Sequence, residues 1–222
     1  MFKHKLNYLF LVLCLPLFAQ EGINKYDEEG KRHGLWRKNF EGSDQLRFEG
    51  HFNHGEEAGD FKFYKKGFEK HPSAIISFNK DSDSVMVTYY TQEGKPISEG
   101  KMLDKKREGK WVYYHKDSDS IMMTENYVHG KLEGKQCTYF TNGKLTEKTE
   151  YKNNKKHGES FIYADNGQVI QHLHYANGEL HGPATYYNAS GEKLIEGQYT
   201  RDQKKGEWKY YKEEELQEKK DY

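Results

Sequence analysis

Aromatic residues in this chain return at fixed distances from a repeating glycine. The stretch Glu196–Tyr211, EGQYTRDQKKGEWKYY, shows the frame most clearly. Tyr199 stands seven residues before Gly206, and Trp208 and Tyr211 follow it at plus two and plus five. Framing glycines recur at Gly34, Gly59, Gly109, Gly134, Gly158, Gly182 and Gly206, at intervals of 25, 50, 25, 24, 24 and 24 residues. Halving the long interval places a degenerate unit at Ser84. On that phase the plus-five column reads Asn39, Tyr64, Tyr89, Tyr114, Tyr139, Tyr163, Tyr187 and Tyr211. Plus two reads Trp36, Phe61, Met86, Trp111, Gln136, Ser160, Ala184 and Trp208, and minus seven includes Phe52, Met102, Tyr127, Tyr151, Tyr175 and Tyr199. A fixed period of this length marks a repeat architecture and outranks any local reading.

Two turn signals punctuate each unit. Gly30, Gly55, Gly130 and Gly178 each lie four residues ahead of a framing glycine, while Lys66-Gly67, Glu93-Gly94, Asn142-Gly143, Asn166-Gly167 and Ser190-Gly191 follow the plus-five position. Asn-Gly suits a two-residue type I′ hairpin, whose central residues both need positive φ. Between turns lie short runs rich in Tyr, Phe, Thr and Val with no helical period, which predicts strands. Connections this short make neighbouring strands antiparallel. The predicted fold is all-β: an elongated antiparallel meander of about eight two-stranded repeats of 24–25 residues. Plus two and plus four share one face, plus five takes the other, and the framing glycine is the natural place for a bulge. The tail KEEELQEKK has helical propensity, but YYKEEELQEKKDY aligns without a gap on residues 139–151, so a closing strand over Leu216–Tyr222 is expected. KDSDS occurs twice out of phase, with Asp81–Ser84 placed between units and Asp117–Ser120 inside one.

The columns resemble the MORN repeat, in the variant found in the bacterial YwqK-type antitoxin family. That pattern is an aromatic, a short turn with glycine, then G-x-W-x-x-Y, and Glu49–Tyr64, Glu99–Tyr114 and Glu196–Tyr211 match it best. The resemblance covers about residues 24–222. It implies a non-enzymatic β-repeat and an antitoxin or immunity role, and it brings no catalytic residue with it.

Composition narrows the picture. Only 34% of residues are hydrophobic while 32% are charged, and the mean hydropathy is −1.11. That is too polar for a thick two-layer core, yet 15% aromatics on a strict period argue against disorder. A thin array, in which each unit buries little beyond its neighbours, fits both facts. Lys3, Lys5 and the apolar run Leu9–Phe18 read as a signal peptide over residues 1–19, removed before Gln20; the run is too short to span a bilayer. The array then fills residues 20–222, with the degenerate unit around 68–100. Lipid anchoring at Cys14 is not favoured, because Leu13 stands where a small residue normally precedes a lipidated cysteine. The mature chain keeps 33 basic and 35 acidic residues, about −2, which gives no bulk attraction to nucleic acid. Cys137 is then left without an intrachain partner.

No catalytic constellation is present in the sequence, and neither a cofactor nor a metal is expected. His172 and His174 share a strand face and could bind a metal with a carboxylate, but the simpler reading is a solvated face. His33, His157 and His181 each precede a framing glycine and read as structural, and KDSDS lacks the glycine and distal glutamate of a calcium loop. The expected repeat core is Trp36, Phe61, Tyr64, Tyr89, Trp111, Tyr114, Tyr139, Tyr163, Tyr187, Trp208 and Tyr211. The loss of aromatics at Gln136, Ser160 and Ala184 leaves room for a shallow groove around residues 134–186. Lys105, Lys106, Arg107, Lys131, Lys155, Lys156, Lys204 and Lys205 form a candidate basic edge in the solvated turns before framing glycines. The functional expectation is an exported scaffold, periplasmic or secreted, that binds another protein. An anionic lipid or cell-wall surface is the less favoured partner.

Overall fold

The computed structural model describes residues 22–222; the signal peptide and Cys14 lie outside them, and Gln20–Glu21 with them. Eight hairpins succeed one another in a single open antiparallel sheet. Their strands are Arg32–Asn39 with Leu46–Asn53, Glu56–Phe63 with Ala74–Phe78, Ser84–Tyr90 with Pro96–Leu103, and Lys106–Tyr114 with Ile121–Val128. Then come Gly134–Tyr139 with Leu145–Lys152, Lys155–Tyr163 with Val169–Ala176, Glu179–Tyr187 with Lys193–Thr200, and Gln203–Lys212 with Glu215–Asp221. Two short pieces complete the sheet: Lys25–Tyr26 pairs with the first strand, and Lys131–Leu132 continues into Gly134–Tyr139 as one interrupted rung. Each hairpin also pairs with the next, so the sheet is a meander of 17 rungs. At ~4.8 Å per rung it extends for roughly 75 Å. The tail forms the expected strand, and its exposed charges blunt the final edge.

The framing glycines are fixed by backbone geometry. All seven have positive φ, between 65° and 110°. They sit where the ladder bulges: Thr149 pairs with Ser160 and Tyr151 with Lys156, leaving His157, Gly158 and Glu159 opposite Glu150 alone. Positive φ strains any residue with a Cβ. In the degenerate unit the glycine is missing and the bulge goes with it. Ile76, Ser77 and Phe78 pair with Val87, Met86 and Val85 in unbroken register. Val85 therefore takes the framing position, one residue later than the even division at Ser84. Plus two is Val87, 1% exposed, and plus five is Tyr90; Met86 and Tyr89 are 46% and 38% exposed. Tyr89 belongs to the plus-four column, beside the Trp111 ring at 6.4 Å. The two KDSDS segments are turns, one between units and one inside a unit.

The turn chemistry differs from expectation. Type I′ hairpins lie ahead of the framing glycines, at His54-Gly55, Asp104-Lys105, His129-Gly130, Asn153-Asn154, Asn177-Gly178 and Arg201-Asp202, and one more, Glu213-Glu214, closes the last hairpin; all have both central φ positive. The Asn-Gly loops are longer. Gly143 donates to Phe140 O and Phe140 to Lys144 O, with positive φ at Gly143 and none at Asn142. This is the three-residue loop in which a type I turn ends in a left-handed glycine beside a bulge. The type I′ turns also stitch units together. The second turn residue donates to the residue two before the preceding framing glycine, as in Gly55 to Arg32 O, Gly130 to Arg107 O, Asn154 to Leu132 O and Gly178 to Lys156 O, at 2.8–3.0 Å.

Candidate binding faces

One face of the sheet carries the framing, plus-two, plus-four and minus-seven residues. Its midline is the most buried row of the molecule: Trp111 and Trp208 are 0% exposed, and Phe61, Val87, Ser160, Ala184 and Thr149 are also buried. The plus-five tyrosines lie on the opposite face. Tyr64, Tyr114, Tyr139, Tyr163, Tyr187 and Tyr211 are half-buried, so the fully buried column is plus two, not plus five. Trp36, near the start of the array, is half-buried as well.

Each buried ring at plus two lies over a glycine eleven residues earlier on the preceding strand. A Cβ on Gly50 would stand 2.4 Å from the Phe61 ring, one on Gly100 2.5 Å from Trp111, and one on Gly197 2.3 Å from Trp208. The indole N–H then reaches the carbonyl just after the glycine, Lys101 O at 3.0 Å and Gln198 O at 3.2 Å. Near the N-terminal end Tyr26, Trp36, Phe52, Phe61 and Phe78 continue the row edge to face, with centroids 5.1–5.9 Å apart. These separations are those aromatic pairs favour.

In the central units the sizes are exchanged. Gln136, Ser160 and Ala184 stand beside Glu125, Thr149 and Leu173, the residues that hold the glycine position there. The larger neighbour fills the gap, and the shallow groove expected around residues 134–186 does not open: Thr149, Ser160, Leu173 and Ala184 are all buried. The filling is polar on one side. Buried Glu125 accepts from Tyr113 at 2.6 Å, Tyr127 at 2.7 Å and Gln136 Nε2 at 2.7 Å, with the Arg107 guanidinium 3.8 Å away. Burial, and then the bond to Glu125, push the Tyr113 hydroxyl well above the usual phenol range. Thr149 donates to Glu147 at 2.8 Å, so the 2.7 Å bond between Thr149 and Ser160 must be donated by Ser160. Among the described residues no buried side-chain polar atom lacks a partner.

The basic ladder divides in two. Arg107 lies 4.4 Å above Trp111 and donates to Tyr113 and Tyr127; Lys156 lies 5.1 Å above Tyr175, and Lys204 4.3 Å above Trp208. These are cation–π contacts, not free charges in a solvated turn. Lys105, Lys106, Lys131, Lys155 and Lys205 are exposed.

The opposite face mixes charge with tyrosine. Glu99 accepts from Tyr114 at 2.7 Å and Glu196 from Tyr211 at 2.6 Å. Burial and the bond to Glu99 push Tyr114 up to about 12. The Lys193 ammonium and the Tyr211 hydroxyl hold Glu196 below the usual carboxylate range. The residue before the framing glycine caps the next type I′ turn: His54 N–H reaches His33 Nδ1, His129 N–H Glu108, Asn153 N–H Glu133 and Asn177 N–H His157, at 2.7–3.4 Å. His33 and His157 therefore have the structural role their position implied. Among the described residues two groups bring metal-ligating atoms together, Asp27 with His33 and His54, and Glu159 with His172 and His174. Asp27 is already committed: it accepts the N–H groups of Lys31 and Glu29, and the Lys31 bond leads in holding its carboxyl below the usual range.

One further row is not among the columns predicted from sequence. Just beyond the intra-hairpin loops the strand holds one residue extra to the register, which is Arg47 in the first unit, Ile97, Met122, Thr146, Ile170 and Leu194 in the third to seventh, and Gln217 in the last. Ile97, Met122 and Leu194 are 46%, 36% and 37% exposed. The spacing of 24–25 residues along the row from Ile97 to Leu194 was the available signal.

Residues 132–153 and 156–177 match the MORN repeat variant family. The match supports reading the chain as a MORN-repeat protein. No curated protein matches the chain. A solved structure of a mutant TarM from S. aureus, in complex with Fondaparinux, alpha-GlcNAc-glycerol and UDP, aligns with 71% of this chain and 21% of its own, at 11% identity and a TM-score of 0.21. The chain spans about a fifth of that protein's length, and the superposition is too loose to relate the two.

Proposed function

We propose that this protein is a non-enzymatic scaffold that binds another protein, in the cell envelope or outside the cell. The observation that carries the reading is the apolar row Ile97, Met122, Ile170 and Leu194, interrupted by Thr146, in which Ile97, Met122 and Leu194 are exposed and Ile170 is half-buried. Two rungs separate successive members, so the row runs for about 40 Å along one edge. Exposed apolar positions in line mark contact surfaces better than the scattered ones every protein carries. The MORN repeats support the scaffold class, and the antitoxin or immunity role implied by the resemblance is a special case of it. The anionic-surface reading is weaker, because Arg107, Lys156 and Lys204 are laid over rings.

The test is capture of partners from the native envelope fraction by the tagged mature chain and by an Ile97→Asp/Met122→Asp/Leu194→Asp variant. Surface changes of this kind usually cost within about 0.5 kcal/mol each, so the fold survives. Loss of a specific partner by the variant, with unchanged circular dichroism, supports the proposal. Equal capture by both chains, or strong salt-sensitive binding of the natural chain to anionic vesicles, overturns it.

A further inference from the structure

We propose that Glu159, His172 and His174 form a binding site for one Zn²⁺ ion on the face opposite the ring row. The three come from adjacent strands in fixed register: Glu159 pairs directly with His174, and His172 lies two residues along on the same face. Their ligating atoms all lie within 4.8 Å of one another. Glu159 Oε1 is 3.1 Å from His172 Nε2 and 3.8 Å from His174 Nε2. Zinc holds such ligands at ~2.0–2.1 Å in a tetrahedron, which sets the ligand atoms roughly 3.3 Å apart. The observed separations bracket that value, so small side-chain rotations suffice once the Nε2 proton that His172 donates to Glu159 is given up to solvent or moved to Nδ1.

The surroundings prepare the ligands. His174 Nδ1 lies 3.0 Å from Pro183 O. A carbonyl only accepts, so Nδ1 carries the hydrogen and the Nε2 lone pair points toward Glu159. A histidine whose second nitrogen is bonded to a backbone carbonyl is the usual outer arrangement at a zinc site. The His172 ring is stacked on Phe161 at 4.2 Å and 16°, which fixes its plane. Lys148 lies 4.6 Å over the same Phe161 ring, on the strand beyond it, so the phenyl stands between that cation and His172. Three protein ligands leave the fourth corner to water, or to a side chain from a docked partner. The Asp27, His33 and His54 group offers a comparison within the chain. There His33 Nδ1 accepts a backbone N–H and Asp27 accepts two.

Untagged full-length chain, purified without metal chromatography, is titrated with Zn²⁺ against a chromophoric chelator, and with Co²⁺ while visible absorption is followed. One equivalent is expected, with the intense bands of tetrahedral Co²⁺. Glu159→Gln, His172→Gln and His174→Gln should each weaken binding by more than the ~100-fold that loss of an outer partner alone can cost. His33→Gln/His54→Gln should leave the stoichiometry unchanged. Zn²⁺ should raise the thermal midpoint of the natural chain but not of the His172→Gln/His174→Gln variant, because only a ligand held by the folded state shifts that equilibrium. No saturable uptake, or one equivalent that persists in the latter variant, overturns the site.

Discussion

The hairpins around Trp111 and around Ser160 solve one packing problem in opposite ways. In the first, Gly100 adds nothing above the sheet and the indole covers both positions. In the second, Thr149 rises where the glycine would be, and Ser160 shrinks to meet it. The same exchange holds for Gln136 with Glu125 and Ala184 with Leu173, and the ring solution holds for Phe61 with Gly50 and Trp208 with Gly197. The array thus lets either member of a cross-strand pair fill the midline and does not fix the residue in a column. The chemistry differs with it. The ring units pack rings edge to face with a cation over each tryptophan, whereas the centre hangs several hydroxyls and an amide on Glu125 and Thr149. Ring units also carry glutamate before the glycine, Glu49, Glu99 and Glu196, where the centre carries Thr124, Lys148 and His172.

The largest contrast should come from truncating the midline. Trp111→Ala should cost about 3–5 kcal/mol, as large buried aromatics do. Ser160→Ala should cost nearer 1 kcal/mol, because Thr149 still donates to Glu147 and only one hydrogen bond is lost. Chemical denaturation of both variants measures the gap; equal costs would break the comparison. Glu125→Ala comes next, at about 1–3 kcal/mol, since it strips the acceptor from Tyr113, Tyr127 and Gln136 together.

A smaller effect separates the units by pH. Glu196 is held below its ordinary 4.5, chiefly by Lys193 and then Tyr211. A carboxylate depressed by folding adds stability that is complete above its unfolded value and is lost as pH falls through the folded one. Hydrogen exchange should therefore show the Lys193–Lys212 strands loosening below pH 4.5, and Glu196→Gln should flatten that dependence. The smallest change is a gain. Asp104 and Lys105 both hold positive φ without a glycine. Asp104→Asn/Lys105→Gly should raise stability by about 1 kcal/mol, since left-handed backbone costs ordinary residues that much. A fall in the thermal midpoint would count against the turn assignment.

Much of this was legible in the sequence, for a physical reason. A bulge that needs positive φ demands glycine at one position, so the period is written in single residues from Gly34 to Gly206. The eight hairpins and the closing strand are consequences of that period. Where Val85 replaces the glycine, the bulge vanishes and the phase is lost by one residue, which misplaced Tyr89. Arg107 looked like a turn cation because its three rings come from other positions and another strand. The glycines beneath the rings stayed hidden because each belongs to the unit before its ring. Glu159 was missed as a companion to His172 and His174 because it lies on the other strand of their hairpin, 13 residues before His172.

Whether bulk can pass from one member of a pair to the other can be tested at Leu173 and Ala184, which pack in one cluster with Trp208. A double-mutant cycle would compare Leu173→Gly, Ala184→Trp and the two together. Leu173→Gly alone should open a cavity, a class of change that costs ~2–5 kcal/mol. Ala184→Trp alone should overpack, at ~1–3 kcal/mol. Together they rebuild the arrangement of Gly100 with Trp111, so the double variant should recover stability, with a favourable coupling of about 1–3 kcal/mol. Costs that simply add, to within about 0.5 kcal/mol, would contradict the account.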